Sequence, residues 1–403
     1  MSEPYEALVP GSPAPELLRA AAPLRPFAPE ACAFLEALSD LLLQQRSARA
    51  YAELTALAYW MRRASIRRLQ ADCAARQGTA LLLARGTVFH IAPANVDTIF
   101  VYSWALSLLT GNRNIVRLSS RSSPQTEVLL DAIAALLGDA AHRTVGERTL
   151  LLRYAPDDAL TGRLSAQCDA RIVWGGDATV AEIRRIPLPA TAIEVAFADK
   201  QSIALVDAAR WNGFDQARRD GLAESFYTDA YWFGQMACSS PRVVLWLGTA
   251  EATAQARADF WPRVERVIAR RQERFSDIDY VDKLVAADSL AIELPVRIEA
   301  SANNDLTRLW VDRPGLRVPH FCGAGLFLES RIAALDELRP LLDRKLQTVC
   351  YAGLDSDELR AFVAAAPLAG VDRFVPFGRA LEFAPVWDGF DLMRVFAREV
   401  TVI

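Results

Sequence analysis

The 403-residue sequence has few of the residues that build metal sites and disulfide frameworks. It contains only three histidines and six cysteines, and no two cysteines are close enough to form a Cys-x-x-Cys pair. This scarcity predicts that no structural metal is bound and that no thiol pair of the redox type is present. It also favours a cytoplasmic protein, because disulfide bonds accumulate in oxidising compartments.

Long apolar runs and strong net charge are missing as well. The longest uncharged apolar run, 98–112, is bounded by Asp97 and Arg113 and is shorter than the about 20 residues that cross a bilayer. We therefore expect a buried helix there and no membrane span. The Pro-rich N-terminus has no signal-peptide pattern. The net charge is −4, so no basic field is predicted to hold nucleic acid or anionic lipid.

The composition is that of an ordinary globular protein, with 52% hydrophobic and 23% charged residues, and the length favours two domains. Residues 29–75 carry apolar residues at helical spacing, which predicts a helical N-terminal region. From residue 80 onwards strand patterns alternate with helix patterns, which is typical of parallel sheets with crossover helices. A charged helix is predicted at 251–275. Short strands with one helix near 333–346 are predicted after it, and a final helix at the chain end.

The segment YWFGQMACSSPRVVLW (231–246) places Cys238 in a loop of small residues just before a predicted strand. A cysteine becomes a nucleophile where backbone N–H groups, a helix N-terminus or a cation stabilise its thiolate. A loop of this kind can supply such N–H groups. The alternative is a packed thiol, since unpaired cysteines are among the most buried residues. The other five cysteines lie within helical or apolar patterns, which favours packed roles for them.

Three further places at predicted strand ends have residues suited to chemistry. Asn95 could donate a hydrogen bond to an oxyanion, or it could be an ordinary turn or N-cap residue. Gly175-Gly176-Asp177 stands between a strand and a helix, where a diphosphate can bind, although the GxGxxG pattern is absent there. Arg117 could bind a ribose or a phosphate, or it could be a solvated arginine at a strand end.

In this order the segments resemble the aldehyde dehydrogenase superfamily, and in detail the long-chain acyl-CoA reductases of the LuxC type. The resemblance covers about residues 28–400, and its CSSP and WGGD segments together are fairly specific. It is carried by FHIAPANV (89–96), LLTGNRNIVRLSSRSS (108–123), IVWGGDATVAEIRRI (172–186), FADKQSIALVD (197–207), GQMACSSPRVV (234–244), KLQTVCYAG (345–353) and GVDRFVPFGRALEFAPVWDGFDLMRV (370–395).

The resemblance implies an α/β, aldehyde-dehydrogenase-like fold of two doubly wound α/β domains with a helical N-terminal region. It implies a helical region at 1–74, a nucleotide-binding domain at 75–198 and a catalytic domain at 199–365. A C-terminal segment at 366–403 would return to the first domain and to the oligomer interface. Superfamily members are usually dimers or tetramers, so we expect a homo-oligomer.

The resemblance also assigns roles to single residues. Cys238 would take the acyl group as a thioester, and Asn95 would form an oxyanion hole with the backbone N–H of Cys238. Glu194 is a further candidate, near the place of the water-activating glutamate of hydrolytic members, although its spacing to Lys200 differs from theirs and a reductase needs no such base. The cofactor would contact Ile91, Ala92, Pro93 and Ala94 at the nicotinamide, Arg117, Ser119 and Ser120 at the adenosine ribose, and Gly175, Gly176 and Asp177 at the diphosphate.

The implied reaction is the NADPH-dependent reduction of an acyl thioester to an aldehyde through an acyl-Cys238 intermediate. The acyl donor would be acyl-CoA, an acyl-carrier protein or an acyl-enzyme. Arg117 followed by the uncharged Ser119 and Ser120 favours NADPH over NADH, because a carboxylate there would repel a 2′-phosphate.

Three alternatives stay open at this point. They are aldehyde oxidation in the reverse direction, an acyltransferase or thioesterase that uses Cys238 without a nicotinamide, and a non-catalytic partner subunit. The family's His-Asp-Gly near the C-terminus is here Trp387-Asp388-Gly389, so we assign no catalytic role to that position.

Overall fold

The computed structural model describes residues 4–402 apart from 78–79, 94–95, 97, 121–122, 272–274, 300, 317 and 319–320. The chain divides into two compact units, one formed by Met1–Asp199 with Phe383–Ile403 and one formed by Lys200–Glu382. Each unit is built on a largely parallel sheet, as the alternation of strand and helix patterns predicted. Within the described ranges, no helix is both long enough and apolar enough to cross a membrane.

The first unit begins with the predicted helical region. The second helix starts at Pro29. The first N–H groups of a helix have no acceptor within it, so the N–H that proline lacks costs no hydrogen bond there. The helix buries Leu35, Leu38 and Leu42 along one face. The helices are α1 (Pro15–Ala20), α2 (Pro29–Gln44), α3 (Arg46–Arg49), α4 (Ala52–Trp60) and α5 (Arg63–Gln77).

A six-stranded sheet follows, with β1 antiparallel and the other neighbours parallel. Its strands are β1 (Glu6–Ala7), β3 (Thr87–Ile91), β4 (Arg113–Leu118), β5 (Thr149–Arg153), β6 (Ala170–Trp174) and β7 (Ile193–Phe197), while β2 (Leu81–Ala84) lies outside this sheet. The helices between them are α6 (Ile99–Leu109), α7 (Pro124–Leu137), α8 (Arg143–Gly146), α9 (Asp158–Ser165) and α10 (Asp177–Arg184). Helix α6 is buried along its whole length, which confirms the prediction for the apolar run.

The strand order β1-β5-β4-β3-β6-β7 reverses direction at β3. Chain connections run from β3 to β4 and β5 on one side, and to β6 and β7 on the other. Open α/β sheets of this kind leave a crevice beyond the carboxyl ends of the strands at the reversal point. The residues after β3 and after β6 therefore lie where a ligand of this sheet is expected.

The second unit contains a seven-stranded sheet in the order β10-β11-β12-β9-β8-β13-β14, in which only the edge strand β10 is antiparallel to its neighbour. The strands are β8 (Gln201–Asp207), β9 (Pro241–Leu247), β10 (Val296–Glu299), β11 (Thr307–Val311), β12 (Leu326–Ile332), β13 (Leu346–Ala352) and β14 (Arg373–Pro376). The helices are α11 (Ala208–Gly213), α12 (Gln216–Tyr231), α13 (Ala250–Arg271), α14 (Asp277–Glu293) and α15 (Ser356–Ala365).

This second sheet is covered on both faces. Val243 and Leu245 of β9 enter one apolar core, while Val244 and Trp246 enter another. Alternate residues of a strand point to opposite faces, so a strand buried on both sides is a continuous apolar run. This explains why β9 could be recognised from sequence.

A buried carboxylate ties β12 to its neighbours. Glu329 has no exposed surface. It accepts hydrogen bonds from the indole N–H groups of Trp246 and Trp261, at 2.9 and 2.8 Å. It also accepts two from the guanidinium of Arg257, each at 2.9 Å. A buried charge of this kind is tolerated only because its oxygens are fully hydrogen-bonded.

Two predictions for the second unit are wrong. The region after residue 276 begins with the long helix α14, whose start is fixed by a capping box between Ser276 and Asp279. The helix predicted near 333–346 is instead a short 3₁₀ helix at Leu335–Leu341 that contains Pro340. Proline cannot donate the hydrogen bond that an α-helix needs at that position.

Three neighbouring strands of the second sheet slip in register near their amino ends. Between β13 and β8, Leu346 pairs with Gln201 but Val349 pairs with Ile203, so one extra residue is accommodated on β13. A similar slip separates Ser202 from Ile203 where β8 meets β9. Bulges of this kind re-aim side chains and are frequent beside active sites.

The chain end belongs to the first unit. It contains β15 (Val386–Trp387), β16 (Phe390–Asp391), α16 (Leu392–Val395) and β17 (Ala397–Val400), and β17 pairs antiparallel with β2. The predicted final helix is therefore a single turn that is followed by a strand.

Candidate active site

Cys238 lies in the turn between α12 and β9, at the amino ends of the parallel strands of the second unit. The residue is half-buried. Its Sγ accepts a hydrogen bond from Nε2 of Gln347 at 3.1 Å, and its carbonyl oxygen accepts one from Oγ of Ser202 at 2.7 Å. The sulfur and the backbone of Cys238 are thus both held by side chains from other strands.

The chain enters this turn through a strained stretch. Phe233, Gly234 and Gln235 all have left-handed backbone angles, with φ of 56°, 58° and 66°. Non-glycine residues in this region cost about 1 to 3 kcal/mol each and persist only where the surroundings enforce them. Such strain is concentrated at functional sites, which supports a functional role for this loop.

The Gln235 side chain holds the loop in this backbone conformation. It is fully buried and donates to the carbonyl oxygens of Pro241 and Leu326, at 2.9 and 3.1 Å. Its Oε1 accepts from the N–H of Gly325 at 2.9 Å. One amide therefore fastens the loop to the start of β9 and to the start of β12.

A glycine on the opposing segment allows this close approach. Gly323 has φ of 76°, and a Cβ at this position would lie 2.3 Å from the carbonyl oxygen of Gly234. The N–H of Ala324 donates to the same oxygen at 3.1 Å. Any side chain at residue 323 would push the two segments apart.

The remaining cysteines lack these features. All six cysteines fall within the described residues, and none forms a disulfide bond. Burial raises the pKa of the Cys168 thiol to about 12 and that of Cys350 well above its usual value. Desolvation also raises the thiol pKa at the other three positions, Cys32, Cys73 and Cys322. Burial therefore disfavours the thiolate form at each of these five positions.

The residues proposed to contact a nicotinamide follow β3 in the first unit. Ile91 is buried at the strand end, and Ala92 continues toward β4 by donating to the carbonyl oxygen of Arg117 at 3.0 Å. Pro93 is half-buried. Ala94 and Asn95 lie outside the described residues.

Arg117 lies on β4 with its guanidinium 4.5 Å from the centre of the Tyr154 ring. Its Nε is buried and has no hydrogen-bond partner in the part of the chain that the structure describes. Ser119 follows half-buried, with its carbonyl oxygen accepting from Nε of Arg153 at 3.0 Å, and Ser120 is exposed. The end of β4 thus has one cationic N–H without a described partner, followed by a half-buried and an exposed serine.

Gly175, Gly176 and Asp177 join β6 to α10. The N–H of Gly175 donates to the carbonyl oxygen of Phe197 at 3.1 Å. Gly176 is the N-cap of α10 and has no side chain to cap the helix. A Cβ added to it would meet no described residue within 4 Å, which leaves room beside the positive end of the helix dipole. Asp177 is exposed in the first turn.

Glu194 lies on β7, within the first unit. Its carboxylate accepts from Nε of Arg171 at 2.7 Å and from Nε of Arg184 at 3.1 Å. Arg171 is fully buried, so the carboxylate is needed to neutralise it. This pairing gives Glu194 a structural task.

A buried polar chain lies behind β3. His90 Nδ1 is 2.8 Å from Oγ of Ser103, and its Nε2 is 3.1 Å from Oδ1 of Asn114. The Trp174 indole N–H donates to the same Ser103 oxygen at 3.2 Å. Burial lowers the pKa of His90 to about 4, against a smaller opposite effect of Asn114, so this histidine is neutral and structural. Trp387, which stands where the resemblance implies a histidine, packs against Trp174, and the two ring centres are 6.5 Å apart.

The comparisons with known proteins concern the family and the fold of the chain. A model of the LuxC family of acyl-CoA reductases matches residues 52–277, more than half of the chain. The chain belongs to the LuxC acyl-CoA reductase family. No curated protein matches it.

Solved aldehyde dehydrogenases share the fold of this LuxC-family chain. A Mycobacterium tuberculosis aldehyde dehydrogenase complexed with NAD+ aligns with a TM-score of 0.67 over 96% of this chain and 88% of that chain, at 12% identity. The NADP-dependent glyceraldehyde-3-phosphate dehydrogenase of Bacillus halodurans C-125, complexed with NADP, aligns with 0.64 over 96% and 87%, at 16% identity. An NAD-dependent benzaldehyde dehydrogenase from Corynebacterium glutamicum gives 0.65 over 96% and 87%, at 11% identity. The predicted family and the aldehyde-dehydrogenase-like fold are both confirmed.

The sequence pointed to Cys238 of this LuxC-family chain as a candidate, but it did not point to the residues that contact it. Gln347 and Ser202 are distant from Cys238 in sequence. The Gly-Gln pair before the cysteine is part of the segment that carries the resemblance, but the sequence assigned no role to Gln235. A signal for Gln347 did exist, since it is a polar residue in the mostly apolar strand segment LQTVCYA. A buried polar side chain in such a strand needs a partner, and here one of its partners is the sulfur of Cys238.

Proposed function

We propose that this protein reduces an acyl thioester, carried by CoA or by an acyl-carrier protein, to an aldehyde with NADPH. The acyl group would be held as a thioester on Cys238. The family of acyl-CoA reductases to which the chain belongs supports reduction of an acyl group in general. The thioester on Cys238 and the preference for NADPH are the finer parts of the proposal.

The observation that carries this proposal is the environment of Cys238. Of the six thiols, it is the one in a strained loop at a sheet end, with an amide N–H directed at its sulfur at 3.1 Å. A thiolate is the nucleophilic form, and a donor directed at the sulfur favours that form, so Cys238 is the thiol best suited to attack.

In the proposed reaction the Cys238 sulfur attacks the acyl carbonyl carbon, and a carbon–sulfur bond forms. The bond to the donor's sulfur breaks, and the donor leaves as a thiol after taking up a proton. Once the acyl group has accepted a hydride, it is a thiohemiacetal on Cys238. Its carbon–sulfur bond then breaks, the electron pair returns to the Cys238 sulfur, and the aldehyde departs. Covalent capture in this way divides one difficult reduction into two easier steps.

Oxyanion stabilisation is assigned, on the resemblance, to the Asn95 amide and the backbone N–H of Cys238. Two donors aimed at a developing oxyanion act in both the acyl transfer and the reduction. An Asn95→Ala variant is expected to lower kcat by about 100-fold or more, which is typical for the loss of one such donor.

The first unit contains residues that fit a nicotinamide dinucleotide. NADPH supplies the hydride when it is bound. The uncapped N-terminus of α10 at Gly176 offers N–H groups and open space to a diphosphate, and Gly175 and Asp177 lie on either side of it. The buried Arg117 Nε, which has no partner among the described residues, offers a cationic donor to a ribose or a 2′-phosphate. Ser119 and Ser120 bring no negative charge beside it, which favours NADPH over NADH.

The test compares Cys238→Ala with Cys322→Ala, which removes another half-buried thiol. Each protein is mixed with a panel of acyl thioesters of different chain length, with and without NADPH. Intact-mass spectrometry detects the acyl adduct, and absorbance detects NADPH consumption. We expect both signals to disappear in Cys238→Ala and to persist in Cys322→Ala.

Other outcomes would point elsewhere. Aldehyde formation by Cys238→Ala would refute the covalent mechanism. An acyl adduct on Cys238 that turns over without using NADPH or NADH would indicate an acyltransferase or a thioesterase. Faster turnover with aldehyde and NADP+ than with thioester and NADPH would favour the oxidative direction.

A further inference from the structure

Gln347 is placed against the Cys238 sulfur by the bulge in β13. The residue is 1% exposed and lies between Leu346 and Val349, where the pairing of β13 with β8 slips by one residue. The slip re-aims the side chains of this stretch. Its result is an amide nitrogen 3.1 Å from the sulfur of a half-buried cysteine.

The neighbouring residue fixes which end of the amide faces the sulfur. Oγ1 of Thr348 donates to Oε1 of Gln347 at 3.3 Å, which leaves Nε2 for Cys238. The opposite orientation would direct a carbonyl oxygen at a thiolate, and the two negative groups would repel. The orientation with N–H toward sulfur is therefore the one that supports the ionised thiol.

The same stretch of β13 also controls the backbone of Cys238. The N–H of Thr348 donates to Oγ of Ser202 at 3.1 Å, and that hydroxyl donates to the Cys238 carbonyl at 2.7 Å. Two adjacent residues of one bulge thus hold the sulfur and, through Ser202, the carbonyl of the same cysteine. This double attachment gives the amide a fixed direction relative to the sulfur.

We propose that Gln347 is a catalytic residue that donates its N–H to the Cys238 sulfur and stabilises the thiolate. This inference rests on the proposed role of Cys238 as the nucleophile. The amide would act twice: before the sulfur attacks the thioester, and again when the carbon–sulfur bond of the thiohemiacetal breaks and the electron pair returns to sulfur. No proton moves from Gln347 in either step.

A glutamine amide stabilises a thiolate differently from a histidine or a lysine. Glutamine does not titrate, so its support of the thiolate is the same at every pH. A hydrogen bond to a charged acceptor is stronger than one to a neutral acceptor. Loss of such a bond is expected to raise the thiol pKa by about one to two pH units.

The experiment measures the rate at which iodoacetamide modifies Cys238 as a function of pH, with the site identified by peptide mass spectrometry. Gln347→Met keeps the side-chain length and removes the donor. We expect the thiol pKa to rise by about one unit or more, alkylation near neutral pH to slow about tenfold, and the rate at high pH to stay unchanged.

Gln201→Met is the matched control. Gln201 is another buried glutamine, on the adjacent strand β8, and its amide donates to the carbonyl oxygen of Leu316. Its replacement removes the same chemical group from the same sheet and is expected to leave the Cys238 titration unchanged. If Gln347→Met does not fold, Gln347→Glu provides the second test, because a carboxylate beside the sulfur should raise the thiol pKa further.

An unchanged Cys238 titration in the folded Gln347 variant, equal to that of Gln201→Met, would overturn the inference. A merely structural role for Gln347 would alter stability without moving this titration. The alkylation readout needs no turnover, so it is separate from the proposed reaction. If Cys238→Ala still reduces thioesters, the proposed function fails whatever Gln347 does to the thiol.

Discussion

The buried histidine behind β3 makes a specific prediction about pH and stability. His90 is 1% exposed, and burial lowers its pKa from 6.5 to about 4. As the pH falls below 6.5, the unfolded chain binds a proton at this residue while the native protein does not. His90 therefore contributes stability that is present above pH 6.5 and is lost as the pH falls toward 4.

The magnitude follows from the two pKa values. One pH unit of difference corresponds to 1.36 kcal/mol, so the fall to about 4 corresponds to about 3 kcal/mol of unfolding free energy lost by acidification. His90→Gln cannot titrate. We expect this variant to be less stable at neutral pH, because it breaks the hydrogen bonds with Ser103 and Asn114, but to lose about 3 kcal/mol less than the wild type on acidification.

Guanidinium unfolding at a series of pH values measures this difference, and hydrogen exchange of peptides from β3 and β4 assigns it to the first unit. His142→Gln is the control, since His142 is a half-buried histidine outside this polar chain. It should keep the pH dependence of the wild type. If His90→Gln also keeps that dependence, the low pKa and the reasoning built on it are wrong.

Three further outcomes are expected in the second unit. Glu329→Gln should lower the unfolding free energy by about 3 kcal/mol or more, because it removes the buried charge that four N–H groups share. Glu299→Gln, at the half-exposed edge of the same cluster, should cost about 1 kcal/mol or less in guanidinium unfolding. Asp229 is buried and its pKa is raised to about 7, so its native form gains stability as the pH falls from 7 toward 4, and Asp229→Asn should abolish that gain in pH-dependent melting curves. Gly323→Ala should destabilise the protein and slow alkylation of Cys238, because its Cβ would clash with the carbonyl oxygen of Gly234; an unaffected alkylation rate would mean that the loop does not depend on this contact.

Local patterns were sufficient to predict much of the fold. The apolar run that became α6 and the continuous apolar strand β9 both carry their signal within a dozen residues. Helix α14 was missed because its exposed face carries Ile278, Val281 and Ile292, which blurs the contrast between apolar and polar faces. The composition of the segment before β13 predicts a helix, but Pro340 is incompatible with an α-helix at that position.

The candidate site was only half predictable for a physical reason. Cys238 stands in a recognisable local context, but Gln347 is 109 positions away and reaches the sulfur through a register slip that no hydrophobic pattern reveals. Glu194 shows the same limit, since its partner Arg171 is 23 positions away on a neighbouring strand. Long-range pairing decides which polar residues meet, and a single sequence does not contain that pairing in readable form.

The hydrogen bonds that Ser202 and Gln347 donate to Cys238 have a consequence for the folding of the chain. The two holding residues lie on β8 and β13, and the cysteine lies just before β9, so the thiol acquires its surroundings only after all three strands have joined. A partly folded or truncated chain would expose an ordinary cysteine at this position. If Gln347 stabilises the thiolate as proposed, the reactivity of this one sulfur would report that β8, β9 and β13 have all joined the sheet.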